Sequence, residues 1–272
     1  MNPESGFALC LTDVTIRFGG LVAVNGLTMS VPRKGIAGLI GPNGAGKTSA
    51  FNVITGFYKP TGGRVAFRGR NGATVNITGL PPHKVCEAGL ARTFQNIRLF
   101  GSETVLQNVM IGGYVRQKGR WWMNIIPPLF PAAVKEEEEL RESSLTLLER
   151  LGLIGYAAAP AASLPYGAQR RLEIARAIAT RPEFLLLDEP AAGMNPQESA
   201  ELLGFIRGLR DDYDLSILLI EHDMKVVMGV CEHIWVLDQG TLIADGAPEE
   251  IRANPRVIEA YLGAQGKEAA HA

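Results

Sequence analysis

Gly35-Ile36-Ala37-Gly38-Leu39-Ile40-Gly41-Pro42-Asn43-Gly44-Ala45-Gly46-Lys47-Thr48 is the stretch from which the fold can be read. Its first six residues form a short apolar run, the pattern of a strand buried on both faces. A glycine-rich turn follows. A helix is expected to begin near Lys47, with Phe51 and Ile54 inward and Gly56 at its end. Residues 41–48 match the phosphate-binding pattern GxxxxGK[ST]. With glycine near 7% of residues, a chance match is on the order of one in a hundred, and the flanking strand and helix supply the context the pattern needs. Its glycines let backbone N–H groups curl around phosphate oxygens, and the helix N-terminus adds partial positive charge. Lys47 is placed to reach the β- and γ-phosphates of a nucleotide, and the Thr48 hydroxyl to ligate Mg2+.

Such a loop needs a second contact to the metal. Phe184-Leu185-Leu186-Leu187-Asp188-Glu189-Pro190 offers it. Four apolar residues in a strand would deliver Asp188 to the carboxyl edge of a parallel sheet, where ligands of such sheets bind. Asp188 would hold Mg2+ directly or through water, and Glu189 would polarise an attacking water.

Further out, residues 9–31 read as β structure turning at Phe18-Gly19-Gly20, with Leu9, Leu11, Val14 and Ile16 set among polar residues. Arg64-Val65-Ala66-Phe67 is another strand, after a turn at Lys59 to Gly63. Ser102 to Tyr114 reads as helical, and 115–134 as irregular and proline-rich. Lys135 to Leu151 reads as a helix with Leu140, Leu147, Leu148 and Leu151 on one face and Glu136 to Glu139 solvated. Helices at Gln169 to Thr180 and Glu198 to Arg210 alternate with strands at Phe184 to Asp188 and Ser216 to Ile220. A hairpin follows about Gln239-Gly240. Alternation of this kind predicts a mostly parallel sheet covered on both faces, interrupted by a helical insertion. Gln265 to Ala272 reads as a frayed tail.

The chain has 272 residues, 46% hydrophobic and 20% charged. At about 100–200 residues per domain, this is one large domain, or one with an inserted subdomain, and the composition excludes intrinsic disorder. Lys+Arg 27 against Asp+Glu 28 gives a net charge of −1, so no nucleic-acid partner is expected, since coating a polyanion needs a basic excess. Cys10, Cys86 and Cys231 are odd in number and lack a CxxC spacing, which points to a reducing compartment without a cysteine zinc site. No signal peptide is expected at Met1 to Gly6. No apolar run approaches the roughly 18–20 residues of a membrane span.

The order of motifs resembles the ATP-binding subunits of ABC transporters, over about residues 8 to 263. The P-loop is followed by Gln95 in Arg92-Thr93-Phe94-Gln95, by Leu164-Pro165-Tyr166-Gly167-Ala168-Gln169, by Asp188-Glu189-Pro190, and by His222 after a strand. In detail it is most similar to bacterial branched-chain amino-acid importer ATPases, the LivG type. The supporting strings are Arg17-Phe18-Gly19-Gly20, Thr55-Gly56-Phe57-Tyr58, Glu189-Pro190-Ala191-Ala192-Gly193, Glu221-His222-Asp223-Met224 and Ala260-Tyr261-Leu262-Gly263.

The resemblance implies an α/β P-loop ABC ATPase fold. It has a mostly parallel core sheet, an N-terminal antiparallel β part and an inserted helical subdomain. Residues 7–101 and 165–263 would form the ATP-binding core, 102–164 the helical subdomain ending at the signature segment, and 264–272 a flexible tail. It implies ATP held by Gly41-Pro42-Asn43-Gly44-Ala45-Gly46-Lys47-Thr48-Ser49, with Mg2+ on Thr48, Gln95 and Asp188. Catalysis would rest on Lys47, Gln95, Glu189 and His222, the last bonding the γ-phosphate. Phe18 would stack on adenine, with a core or hairpin role as the alternative.

Tyr166 and Gly167 would meet ATP held by another subunit, although Pro165, Tyr166 and Ala168 depart from the common LSGGQ pattern. Pro165 has neither hydroxyl nor N–H, so the usual serine contact is lost. Asn195 replaces the usual aspartate after Asp188-Glu189. The implied partners are a second ATPase, a paralogue or the chain itself, in an ATP-sandwich dimer, together with two integral-membrane permeases and, indirectly, a periplasmic or extracellular solute-binding protein. The implied place is the cytoplasmic face of the plasma (inner) membrane.

The coupling surface would lie near Gln95 to Phe100, where Ile97, Leu99 and Phe100 are docking residues or core. Trp121-Trp122-Met123 is a second contact or satellite core. Other readings are an ABC ATPase for urea, amides or lipid, or one outside transport. A P-loop GTPase is disfavoured because no Asn-Lys-x-Asp motif occurs.

Overall fold

The computed structural model describes residues 6–116 and 131–270. It divides into two compact units, Met1–Arg92 with Glu183–Ala272, and Thr93–Pro182. The first unit holds two sheets. Strands β1 (Phe7–Phe18) and β2 (Leu21–Pro32) form an antiparallel hairpin, and β1 also pairs with β4 (Gly62–Arg68), which pairs with β5 (Thr74–Asn76). Along β1 the buried residues switch from odd positions, Leu9 and Leu11, to even ones, Val14 and Ile16. A register shift between Leu11 and Val14 and a left-handed backbone at Asp13 (φ 52°) produce the switch. An extra residue in one strand does this because side chains alternate with period two.

The second sheet has six strands in the order β10-β9-β3-β8-β7-β6. These are β3 (Ile36–Ile40), β6 (Leu90–Arg92), β7 (Phe184–Asp188), β8 (Ser216–Ile220), β9 (His233–Asp238) and β10 (Thr241–Gly246). From β9 to β6 neighbours run parallel, and β10 is an antiparallel edge. Every residue of β3, β7 and β8 is buried, which explains their unbroken apolar runs.

Helix α1 (Lys47–Ile54) contributes Ala50, Phe51, Val53 and Ile54 to one core cluster with Leu9, Leu11, Phe67, Phe184 and Trp235, from strands of both sheets. The remaining helices of this unit are α2 (Pro82–Ala88), α6 (Pro196–Tyr213), α7 (Met224–Val230), α8 (Pro248–Ala253) and α9 (Pro255–Ala270). The tail expected from residue 264 is therefore helical as far as Ala270, in a stretch rich in helix-forming Ala, Gln, Lys and Glu.

The second unit contains α3 (Val105–Gly113), α4 (Pro131–Arg150) and α5 (Tyr166–Ala179), with 3-10 turns at Tyr114–Arg116, Ile154–Tyr156 and Ala161–Ser163 among the described residues. It holds the whole 102–164 segment together with residues 93–101 and α5. Thr104 and Gln107 close a capping box, so α3 starts at Val105 rather than Ser102. Helix α4 starts at Pro131, four residues before the expected Lys135, with proline in its first turn. Its Leu147, Leu148 and Leu151 side are buried and Glu136 to Glu139 exposed, as the periodicity predicts.

Helix α5 starts at Tyr166, not Gln169. Pro165 caps it, and the Pro165 carbonyl accepts from the N–H groups of Ala168 and Gln169 (2.9 and 3.0 Å). The segment Tyr166-Gly167-Ala168 is thus the first helical turn. Trp121-Trp122-Met123 lie outside the described residues.

Candidate active site

Strand register assembles the site. Ile220 of β8 pairs with Leu39 of β3 on one side and Asp188 of β7 on the other. The residues that follow, Gly41, Glu189 and Glu221-His222, therefore leave the sheet at one carboxyl edge.

At the end of β3 the chain turns back sharply. Gly41 has φ 150° and Gly46 φ 100°. A Cβ at Gly41 would lie 2.0 Å from the Leu237 carbonyl oxygen, and one at Gly46 2.3 Å from that of Ala23, so only glycine fits at either place. Helix α1 then begins with no side-chain cap and no acidic residue in its first turn. Its leading N–H groups present a partial positive charge to an anion.

Lys47 is buried, and its Nζ donates to the carbonyls of Gly41 (2.7 Å) and Pro42 (2.9 Å). Burial pushes the ammonium below its ordinary pKa, and the charges of Glu189 and Asp188 oppose that shift. Thr48, Asn43 and Gly44 are exposed, Ser49 is half-buried, and Pro42 and Ala45 are buried.

Asp188 is buried at the end of β7 and ion-paired to Arg92 Nη2 at 2.6 Å. The same guanidinium donates to Asn52 Oδ1 (2.6 Å) and Thr55 Oγ1 (3.1 Å) of the P-loop helix and its end. It also lies 5.8 Å from the Phe51 ring centroid and 5.7 Å from that of Phe57, within cation–π reach. Arg92 thus ties Asp188 to the helix that follows the glycine-rich loop. Sequence reading gave Arg92 no role; its only signal was its place in the Arg92-Thr93-Phe94-Gln95 string.

Glu189 adopts a left-handed backbone (φ 44°), and its N–H donates to the Ile220 carbonyl (2.9 Å). A non-glycine residue held there stores strain of the kind found at functional sites. His222 is exposed, with Nδ1 3.8 Å from Glu189 Oε2 and 3.9 Å from Glu221 Oε2. Glu221 is buried, and its Oε1 accepts from the Ala191 N–H at 3.0 Å. Desolvation raises the Glu221 pKa, partly countered by that hydrogen bond and by His222. Glu221 therefore buttresses both His222 and the loop after Glu189. Sequence reading missed this role, for which adjacency to His222 was the one clue.

Phe18 is exposed at the hairpin end, its ring edge-on to Tyr58 at 5.2 Å, a placement outside the core that fits a hairpin role as well as a free stacking face. Asn195 caps α6 through a reciprocal bond with Glu198 (2.9 and 3.0 Å).

In the second unit, Gln95 is exposed, Ile97 and Leu99 are half-buried, and Phe100 is 49% exposed with the Arg176 guanidinium 5.5 Å from its ring. Tyr166 is exposed. Among the described residues beyond its own helical turn, a Cβ at Gly167 would meet nothing within 4 Å.

Comparison with known proteins gives a consistent answer. A family model described as "ABC transporter" matches residues 24–192, and one described as "Branched-chain amino acid ATP-binding cassette transporter" matches residues 241–267. The high-affinity branched-chain amino acid transport ATP-binding protein LivG of Salmonella typhimurium is 48% identical, over 94% of this chain and 97% of its own. The corresponding BraF protein of Pseudomonas aeruginosa is 48% identical, over 93% of this chain and 96% of its own. Among solved structures, an ATP-binding cassette of an ABC transporter in its ADP conformation superposes with a TM-score of 0.81. It is 31% identical, over 94% of this chain and 99% of its own.

Proposed function

We propose that this chain, which belongs to the ABC transporter family, is the ATP-hydrolysing subunit that powers uptake of branched-chain amino acids through separate permeases. ATP hydrolysis comes with the family. The cargo follows relatives named for branched-chain amino acid transport, and the C-terminal match agrees. The observation that carries the chemistry is the convergence of the glycine cradle, Lys47, Asp188, Glu189 and His222 at one sheet edge.

The bare N-terminus of α1, the buried ammonium, the Thr48 hydroxyl and the two acids form a donor set that suits a nucleotide polyphosphate with Mg2+. Thr48 and Asp188 would hold the metal. When bound, Mg2+ neutralises charge developing on the phosphate oxygens. Lys47 stabilises the β- and γ-phosphates. Glu189 takes the proton of the attacking water, and His222 donates a hydrogen bond to the γ-phosphate and orients Glu189. Phe18 stacks on adenine, braced by Tyr58.

Gly167, on the first turn of α5 with open space where a side chain would stand, lets a backbone N–H approach ATP on a second ATPase subunit, a paralogue or another copy. Binding then closes the dimer and hydrolysis releases it. Two permeases would use that cycle at the cytoplasmic face, with a solute-binding protein delivering cargo from outside. Among the described residues no helix is long and apolar enough to cross a membrane.

The test is to purify tagged Glu189→Gln protein with Mg2+ and ATP from solubilised membranes of its own cell. The partners recovered are then reconstituted with the wild-type chain. Leucine, isoleucine or valine with the binding protein should stimulate hydrolysis. Stimulation by urea, an amide or a lipid instead would change the cargo and leave the ATPase standing. Recovery of no membrane partner while the dimer forms would overturn transport.

A further inference from the structure

We propose that Arg170 and Glu173 are positioning residues that fasten the Gln95 segment to the first turn of α5. Gln95 and Tyr166-Gly167 would then be presented as one piece. This rests on the reading above, in which Tyr166-Gly167 meets the second subunit's ATP, and on the catalytic role that the family resemblance implies for Gln95.

Both side chains are almost fully buried, at 0% and 1% exposure, and form an ion pair at 3.0 Å. The guanidinium grips backbone as well as the acid. Nη1 donates to the Phe94 carbonyl (2.8 Å) and Nη2 to the Gln95 carbonyl (3.0 Å). Glu173 Oε1 accepts from the Phe94 N–H (3.1 Å). Phe94 is thereby held at both its polar backbone groups and Gln95 at its carbonyl, while the Gln95 side chain stays exposed. From the other side, the Tyr166 hydroxyl accepts from Nη2 at 3.4 Å, and its ring centroid lies 6.0 Å from the guanidinium carbon. Tyr166, one of the three departures from the common signature pattern, therefore rests on the same arginine that holds Gln95.

Stability is a poor explanation for this pair. Burying two charges costs desolvation that apolar residues of similar volume avoid, and Arg170 Nε is buried without an acceptor among the described residues. Geometry explains it better. A planar five-donor fork can serve the acid, two successive carbonyls and the tyrosine together, which an ammonium cannot.

The test uses the full chain, with turnover measured in the assembled dimer. Arg170→Met/Glu173→Met removes both charges at similar volume, and Arg170→Lys keeps the pair but not the fork. Both should fold and bind ATP within about two-fold of wild type, because the P-loop is untouched. Amides 94–98 should exchange hydrogen at least ten-fold faster, and turnover should fall at least ten-fold. Adding Gln95→Ala to the double variant should cost little more, since both changes disable one element. Wild-type exchange protection at 94–98 in either folded variant would overturn the clamp, as would full turnover in a background where Gln95→Ala alone is impaired. If Gln95→Ala alone turns over normally, the role of Gln95 falls, and exchange still decides whether Arg170 and Glu173 hold the segment.

Discussion

Replacing Gly167 with alanine separates a structural glycine from one kept bare for a ligand. Among the described residues beyond its own turn of helix the new Cβ meets no atom within 4 Å, and Gly167 is not among the residues with positive φ. It lies on the first turn of α5. Packing therefore sets no penalty, and helix propensity favours alanine by up to about 1 kcal/mol, less near a helix end. For a chain of this size that corresponds to a rise in Tm of roughly 1–3 °C. The functional effect has the opposite sign. If the Gly167 N–H meets the γ-phosphate of a second subunit, the methyl group displaces a hydrogen bond to a charged group. Such bonds contribute about 1.5–3 kcal/mol each, roughly 10- to 150-fold per contact, and a homodimer loses two of them, so dimerisation should weaken by at least about 100-fold.

The assay is sedimentation velocity of Glu189→Gln and Glu189→Gln/Gly167→Ala across a range of ATP concentrations with Mg2+, alongside scanning calorimetry. A raised Tm with a dimer of unchanged affinity would refute the proposed approach of Gly167 to ATP. A Tm lowered by several degrees would refute the reading of open space around it.

Four further outcomes are expected. Lys47→Ala removes the buried ammonium that bridges Gly41 and Pro42 and should weaken ATP binding on the order of 100-fold; near-normal binding by equilibrium titration would count against the phosphate loop. Phe18→Ala, at an exposed ring, should leave Tm within about 1 °C of wild type and raise the KM for ATP while sparing kcat. Arg92→Met breaks the buried ion pair to Asp188, a loss of about 3–5 kcal/mol, seen as a Tm lower by roughly 10 °C. Glu221→Gln tests pH dependence. The folded-state pKa of Glu221 is raised above its ordinary 4.5 by burial, so its stabilising contribution is full below that value and is lost as pH rises through the folded pKa. Melting curves of wild type and Glu221→Gln should thus differ by a constant amount at low pH, and the wild type should lose ground above about pH 4.5.

The sequence by itself determined what depends on neighbouring residues. The cradle at Gly41 to Thr48 is legible because positive-φ glycines, a lysine and a helix start occur in one short run. The strands β3, β7 and β8 are legible because burial on both faces leaves no polar positions, and Asp188-Glu189 because that apolar run ends in two acids. The exposed Glu136 to Glu139 and the leucine face of α4 follow from periodicity alone.

Tertiary structure decided what depends on register and on partners far apart in the chain. The order β3-β8-β7 brings three strand ends together, and no local pattern encodes that order. Arg92 finds Asp188 across 96 residues, and Arg170 finds the Phe94 carbonyl across 76. Each pair forms because a buried charge must be neutralised and its donors satisfied, and only packing decides which groups are within reach. Phe18 and Phe51 are the same residue type; one is left exposed at a hairpin end and the other sealed in the core, because burial belongs to the assembled layers and not to the side chain.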